Sequence, residues 1–388
     1  MATPNESRVA IVDGDQAAGK ASGRPKEDRP GRPPVWVVGI VGLGITVGIV
    51  LRLLIPAGMD ATIFLAFGED ATTQTSYAER LLGDVSTRDN LGHDGKYFFI
   101  QANDPLHLDP ERNAAFLDRP LYRSQRMLYP LIAGGLGLFP AWVIVWMMLI
   151  TNVVCLWIGT LFGAKLARLG GASAWLGLAV PLNIGLLFEL WIGGSGILAY
   201  VLCLGAVLAL SAKKEWSASV LFTAAALSRE TILVFAFGIL VLGWLEHRRV
   251  VWRLVSIPLA GVAIWHGYLQ ARLMGIPGGR DAWPLLGPPF VGLVDSLGSW
   301  VRDPTYLTLN LIIVVVLVIF VARGVRHRST IVWGALPFVA LATVLTAYVW
   351  REPFDISRAL VPVFTAAPFL LFVPADGGRL GFPVTERA

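Results

Sequence analysis

The chain has 388 residues, of which 55% are hydrophobic and only 15% charged, with a mean hydropathy of +0.63. A soluble domain carries about 25% charged residues, so this composition excludes a soluble globular enzyme and specifies a polytopic membrane protein. The net charge of +5 does not point to nucleic acid, because the basic residues sit in short loops beside apolar segments, as the positive-inside bias produces. Cys155 and Cys203 both fall inside apolar runs. They read as small buried hydrophobes rather than a disulfide framework or metal cluster.

Residues 1–34 come first, with Pro25, Pro30, Pro33 and Pro34, several glycines, mixed charge and no aromatic residue. Such a segment cannot bury enough apolar surface to offset its ordering entropy, and a disordered cytoplasmic tail is expected. The apolar run from Val35 to about Ile55 is long enough to span a bilayer and lies behind this hydrophilic leader, so it reads as a retained signal anchor. A polar, charge-rich loop, 56–126, follows it. Met127 to Phe139 is too short and glycine-rich for a comfortable span and is expected to lie at the outer face.

About ten spans are expected, near 35–55, 141–163, 172–190, 195–212, 217–228, 231–246, 251–271, 305–323, 331–350 and 358–374. With the tail in the cytoplasm, Lys165, Arg168, Lys213, Lys214, Arg248, Arg249, Arg323, Arg326 and Arg328 all fall inside. The expected fold is all-α: a polytopic helical bundle over 35–376, with both termini cytoplasmic, residues 377–388 as a short tail, and multi-pass placement in the cell membrane.

That orientation sends four hydrophilic patches to the outer face: the loop 56–126, the junction Ser228-Arg229-Glu230, the loop 272–304 with an amphipathic helix near Phe290–Val301, and Trp350 to Arg358. The first holds Gly92-His93-Asp94-Gly95-Lys96-Tyr97-Phe98 and Arg119-Pro120-Leu121-Tyr122-Arg123-Ser124-Gln125-Arg126. Arg119, Arg123 and Arg126 recur at helical spacing, and a helix would set them in one row. Such a row suits a lipid phosphate or, equally, headgroup anchoring. Arg229 and Glu230 stand at a break between apolar segments, where ionisable groups are costly and functional by default; a structural ion pair is the plainer alternative. Arg351, Glu352, Asp355 and Arg358 read as a pocket rim. Glu189 is a further pocket candidate, with an ordinary helix end as its plainer role. Tyr97, Phe98, Tyr122 and Trp350 suit stacking on sugar or prenyl groups, or an interfacial belt.

The run Gly92 to Ala102, followed by Tyr122-Arg123 and Arg126-Met127-Leu128-Tyr129-Pro130, resembles the first outer loop of GT-C glycosyltransferases, nearest to the PIG-V-like mannosyltransferases and related bacterial membrane proteins. The Ser228-Arg229-Glu230 junction and Arg358-Ala359-Leu360-Val361-Pro362 are similar to that superfamily too. One departure is that little chain follows the last apolar run, where many larger members carry a soluble domain. The resemblance implies a membrane glycosyltransferase that takes its sugar from a polyprenyl-phosphate carrier at the extracytoplasmic face and passes it to a hydroxyl of a glycan, lipid or protein. It also implies a catalytic acid residue directly after the first span, where Asp60 stands.

The residues suit that chemistry. A carboxylate must take the acceptor's proton, worth about 10²–10⁴-fold, and arginine forks must hold the departing phosphate. Asp94 is the first choice for the base, since Gly92 and Gly95 allow close approach to a bulky substrate; an ordinary Asp-Gly turn is the alternative. Asp60 is the second choice, against a solvated carboxylate at a helix exit. His93 suits tuning of Asp94 or metal binding, but a lone histidine is more often a loop residue. Lys96, Tyr97, Tyr122, Arg123, Arg126, Arg229, Glu230, Arg351, Glu352 and Arg358 complete the expected substrate-binding set. A divalent cation, Mg or Mn, is compatible with Asp60 or Asp94 but not required. The rival reading is a multispan transporter or lipid flippase, which also uses charges at membrane depth and broken helices; the single large loop has no counterpart in the second half.

Overall fold

A computed structural model describes residues 33–248, 250–276, 285–376 and 380. The expected tails, 1–34 and 377–388, fall almost wholly outside the described residues, as do 277–284 of the second outer loop and Arg249.

The first helix, α1 (Val35–Leu54), buries Val38, Gly42, Thr46, Val50 and Leu54. These recur every fourth residue and form one stripe. Trp36, Ile40 and Leu51 on the other side remain exposed, as a lipid-facing surface requires. The loop 56–126 that follows is folded rather than open. It contains a 3-10 turn at Ala61–Leu65, a parallel pairing of β1 (Phe67–Gly68) with β2 (Thr87–Arg88), α2 (Thr72–Leu82) between those strands, and α3 (Gly95–Ala102). Phe99 of α3 meets Phe67 and Tyr77 edge-on, with ring centroids 6.1 and 6.4 Å apart. These aromatic contacts give the loop a core of its own.

Short helices α4 (Pro120–Arg123) and α5 (Leu128–Ala133) lead to α6 (Ala141–Leu169). Helix α6 packs along α1. A side chain at Gly42 would run into Thr160, so a small residue sets the close approach of the two helices. Next come α7 (Ile184–Trp191), α8 (Gly196–Ser211), α9 (Glu215–Ser228), α10 (Ile232–His247) and α11 (Arg253–Arg272). The expected amphipathic helix near Phe290–Val301 is α12 (Val291–Trp300). The chain continues through α13 (Pro304–Gly324), α14 (Thr330–Val344), α15 (Ala347–Trp350), α16 (Pro353–Ala359) and α17 (Val361–Phe372).

The described chain is therefore mostly helical, and β1 with β2 is its one sheet. Helices α1, α6, α11 and α13 are long and apolar enough to cross a membrane. A fifth crossing forms if α16 and α17, bent by 71° at their junction, count as one. Helices α8, α10 and α14 are apolar but shorter. The segment 172–190 is not one helix: a 3-10 turn at Ala174–Ala179 ends before Pro181, and α7 begins afresh after Asn183. Proline lacks the amide hydrogen that a continuous helix would need there.

Candidate functional site

Three helix breaks deliver the charged residues to one place. The first lies between α7 and α8. Asn183 caps α7, accepting from Gly185 N at 2.9 Å, while its amide donates to Val361 O and Thr365 Oγ1 of α17 at 3.0 and 2.9 Å. Helix α7 also packs on α16 so closely that a side chain at Gly185 would collide with the Ser357 carbonyl. Glu189 of α7 thereby faces Arg358 of α16, with Arg358 Nε 2.8 Å from Glu189 Oε1. The second break is between α9 and α10, where Arg229 ends α9 in an extended conformation. Ser195 Oγ donates to the Ser228 carbonyl at 2.9 Å, and Arg229 reaches Glu189 Oε1 at 2.5 Å. The third is the α16–α17 bend, with Arg358 in the last turn before it.

Asp94 completes the cluster from the loop 56–126. Its Oδ2 is 2.5 Å from Arg358 Nη2 and its Oδ1 is 2.8 Å from Arg123 Nη1. Arg123 also grips Asp118 with two bonds of 2.8 and 2.9 Å and lies 3.9 Å above the Tyr97 ring. The result is a continuous chain of alternating charge, Asp118–Arg123–Asp94–Arg358–Glu189–Arg229. A parallel pair stands beside it: Arg126 donates to both Glu230 oxygens at 3.2 and 3.0 Å and sits near the Tyr122 hydroxyl at 3.4 Å. Asp94 keeps 19% of its side chain exposed, whereas Glu189 keeps 1%. Of these two carboxylates Glu189 is thus the buried anchor and Asp94 the more reachable.

Burial raises the Asp94 carboxyl, but the guanidinium groups of Arg358, Arg123 and Arg126 outweigh it and hold the group well below the usual carboxylate range. His93 packs edge-on against Phe188 at 5.3 Å. Burial, helped by the Arg358 and Arg88 charges, pushes it down to about 4, so it is neutral at physiological pH. Burial and then the Arg123 charge push Lys96 down to about 8. Its ammonium donates to the Leu91 carbonyl.

Asp60 is engaged elsewhere. Its carboxylate accepts from Thr62 N at 2.8 Å, Thr62 Oγ1 at 2.7 Å and Ser86 Oγ at 2.6 Å. It caps the 3-10 turn and ties α1's exit to the Ser86 segment; no bond among the described residues joins it to the Asp94 chain. Arg351 and Glu352 are exposed on the rim. Arg119, Arg123 and Arg126 do not form a row, because α4 is only four residues long and ends at Arg123. Trp350 and Phe98 are unavailable for stacking on a substrate. Trp350 is 1% exposed, donates to the Ala342 carbonyl at 3.0 Å and packs against Trp300; Phe98 packs edge-on against Tyr129. The glycines around Asp94 also serve packing. A side chain at Gly95 would strike the carbonyls of Leu65 and Ile192, and Gly92, at φ 68°, lies against the Ala66 carbonyl.

The arrangement does not suit a divalent cation, since both Asp94 oxygens face guanidinium groups. Among the described residues no three His, Cys, Asp or Glu side chains gather as a ligand set. Asp118 and Gln101 are members of the site that sequence reasoning missed. Gln101 offered one signal: it is the single polar side chain in the apolar run Tyr97-Phe98-Phe99-Ile100-Gln101-Ala102.

Fold and site together define a class: a mostly helical protein with membrane-length apolar helices, in which helix breaks and the loop 56–126 bring together a cluster of arginines and carboxylates. No family model, no curated protein and no solved structure matches the chain.

Proposed function

We propose that this protein is an integral membrane glycosyltransferase of the GT-C kind, which moves a sugar from a polyprenyl-phosphate donor to an acceptor hydroxyl at the extracytoplasmic face. The observation that carries the reading is the 2.5 Å contact of Asp94 with Arg358, residues 264 apart in the chain, inside one arginine-rich cluster. In this reading the apolar segments make about ten crossings, short helices included, with both termini in the cytoplasm. The breaks at Gly193-Gly194, Arg229-Glu230 and Leu360 then open on the outer face, as irregular backbone at membrane depth does where it lines a cavity.

The reaction forms a bond from the acceptor oxygen to the sugar's anomeric carbon and breaks that carbon's bond to the phosphate oxygen. The acceptor's proton passes to Asp94, and polyprenyl phosphate leaves with the bonding electrons. At rest, Arg123 and Arg358 suppress the basicity of Asp94. A donor phosphate competes for the same guanidinium groups, and as it draws them off, the carboxylate regains its basicity. Asp118 and Glu189 keep both arginines oriented throughout. The order is donor first, then proton transfer.

The test is transfer of labelled sugar from polyprenyl-phosphate donors by the purified full chain in nanodiscs, with Asp94→Asn alongside. Transfer that survives Asp94→Asn at the wild-type rate removes the base. A second reading, a transporter or lipid flippase, is favoured by the 71° bend between α16 and α17, since transporters use broken helices at their substrate sites. Movement of polyprenyl phosphate across proteoliposomes with no glycosidic product would select it.

A further inference from the structure

Helix α3 has two faces with different tasks. Phe99 looks into the core of the outer loop. Asp94, Tyr97, Phe98 and Gln101 stand at spacings of three, four and seven, which puts them on the other face. These four, with Tyr122, Arg123 and Arg126, line a cavity of about 10 Å³. Gln101 is 3% exposed, and nothing among the described residues accepts a hydrogen bond from its amide Nε2. A buried amide is normally paired, because an unmade bond forfeits its hydration without return.

We infer that Gln101 is a substrate-contacting residue, and that the cavity it shares with Asp94 seats the acceptor's hydroxyl oxygen. This rests on the glycosyltransferase reading. The size decides against a phosphate there, for about 10 Å³ takes one oxygen-sized group. The chemistry of the walls agrees. A hydroxyl donates one hydrogen bond and accepts others, and the cavity offers a carboxylate to receive its proton and an amide N–H to hold its oxygen. Arg123 and Arg126 also line the space, but the contacts that hold them run to Asp94, Asp118 and Glu230. The Gln101 amide is a buried N–H donor in these walls with no acceptor among the described residues. It orients the oxygen so that the O–H points at Asp94, and the donor phosphate takes the arginine side of the cluster.

Two measurements on the full chain in nanodiscs test this. The first is a high-resolution structure without added substrate, which should show one ordered oxygen within hydrogen-bond distance of both the Asp94 carboxylate and Gln101 Nε2. Side chains closed on each other without that oxygen overturn the seat. The second uses a panel of labelled polyprenyl-phosphate sugars with octyl glycosides as acceptor probes. Gln101→Leu should raise the acceptor KM about tenfold, in line with loss of one hydroxyl-directed hydrogen bond. Polyprenyl-phosphate binding, read by fluorescence, should be unchanged, and Gln101→Asn should restore part of the loss. An unchanged acceptor KM in Gln101→Leu overturns the role of Gln101 alone. A wild type that transfers no sugar from any donor overturns the glycosyltransferase reading, and the ordered oxygen then decides the seat by itself.

Discussion

Asp60 and Asp94 belong to the same loop, 56–126, and are both held below the ordinary carboxylate range, yet by opposite means. Asp60 is surrounded by neutral donors: the Ser86 hydroxyl and the Thr62 hydroxyl and amide together outweigh the effect of burial. Asp94 is surrounded by full charges from Arg358, Arg123 and Arg126. Neutral donors fix a turn and stay put. The guanidinium groups come from other segments of the chain and are shared with other carboxylates, and in the proposed reaction a donor phosphate draws them off. The second arrangement is responsive and the first is not. A carboxylate with a low pKa is thus a structural brace in one place and, in the proposed reaction, a masked base in the other, and the partners decide which.

The largest expected effect comes from cutting the charged chain at its centre. Arg358→Gln leaves Glu189 buried with Arg229 as its remaining arginine partner and frees one side of Asp94. Breaking a buried pair in this way costs about 3–5 kcal/mol, visible as a fall in the thermal unfolding midpoint together with loss of transfer. A variant as stable as the wild type would show that the chain carries no structural energy. Arg358→Lys should recover only part, because an ammonium cannot bond Asp94 and Glu189 with one rigid fork.

Asp94→Asn should lower transfer by about 10²–10⁴-fold, the worth of a general base, with the helical content unchanged by circular dichroism. The contrast is Asp60→Asn, which keeps the cap because asparagine caps as well as aspartate; transfer should stay within a few-fold of wild type. Collapse of transfer in Asp60→Asn would erase the distinction between the two acids. Asp60→Ala should lose about 0.5–2 kcal/mol of stability, the usual cost of a lost cap.

The smallest effect is a pH slope. His93 is pushed from 6.5 to about 4 in the folded protein, so between those values the unfolded chain binds the extra proton. Its contribution to stability is complete above about pH 6.5 and is lost as the pH falls toward 4. His93→Gln should flatten that part of the curve of unfolding midpoint against pH. An equal slope in both proteins would mean that His93 is not held neutral.

Much of this architecture is legible in the sequence where a property is local. The apolar runs behind α1, α6, α11 and α13 announce themselves by length, and the amphipathic pattern at Phe290–Val301 becomes α12. The charged residues gathered from distant loops include Asp94, Arg123, Arg229 and Arg358, all visible as ionisable groups at the edges of apolar runs. What is not legible depends on how elements meet. Spacing places Arg119, Arg123 and Arg126 on one helix face, but Pro120 opens a helix that lasts four residues. Glu189 reads as a helix end until α16 brings Arg358 against it. Trp350 looks interfacial until Trp300 covers it. Gly92 and Gly95 read as room for a substrate, and the room is filled by the carbonyls of Ala66, Leu65 and Ile192.

The central claim is that Asp94 and Arg358 act as a pair, and a double-mutant cycle measures this directly. The unfolding free energies of wild type, Asp94→Asn, Arg358→Gln and the double variant, determined in the same detergent, should be non-additive by about 1–3 kcal/mol, as for side chains in contact. Additivity to within about 0.5 kcal/mol, the behaviour of distant residues, would contradict the account.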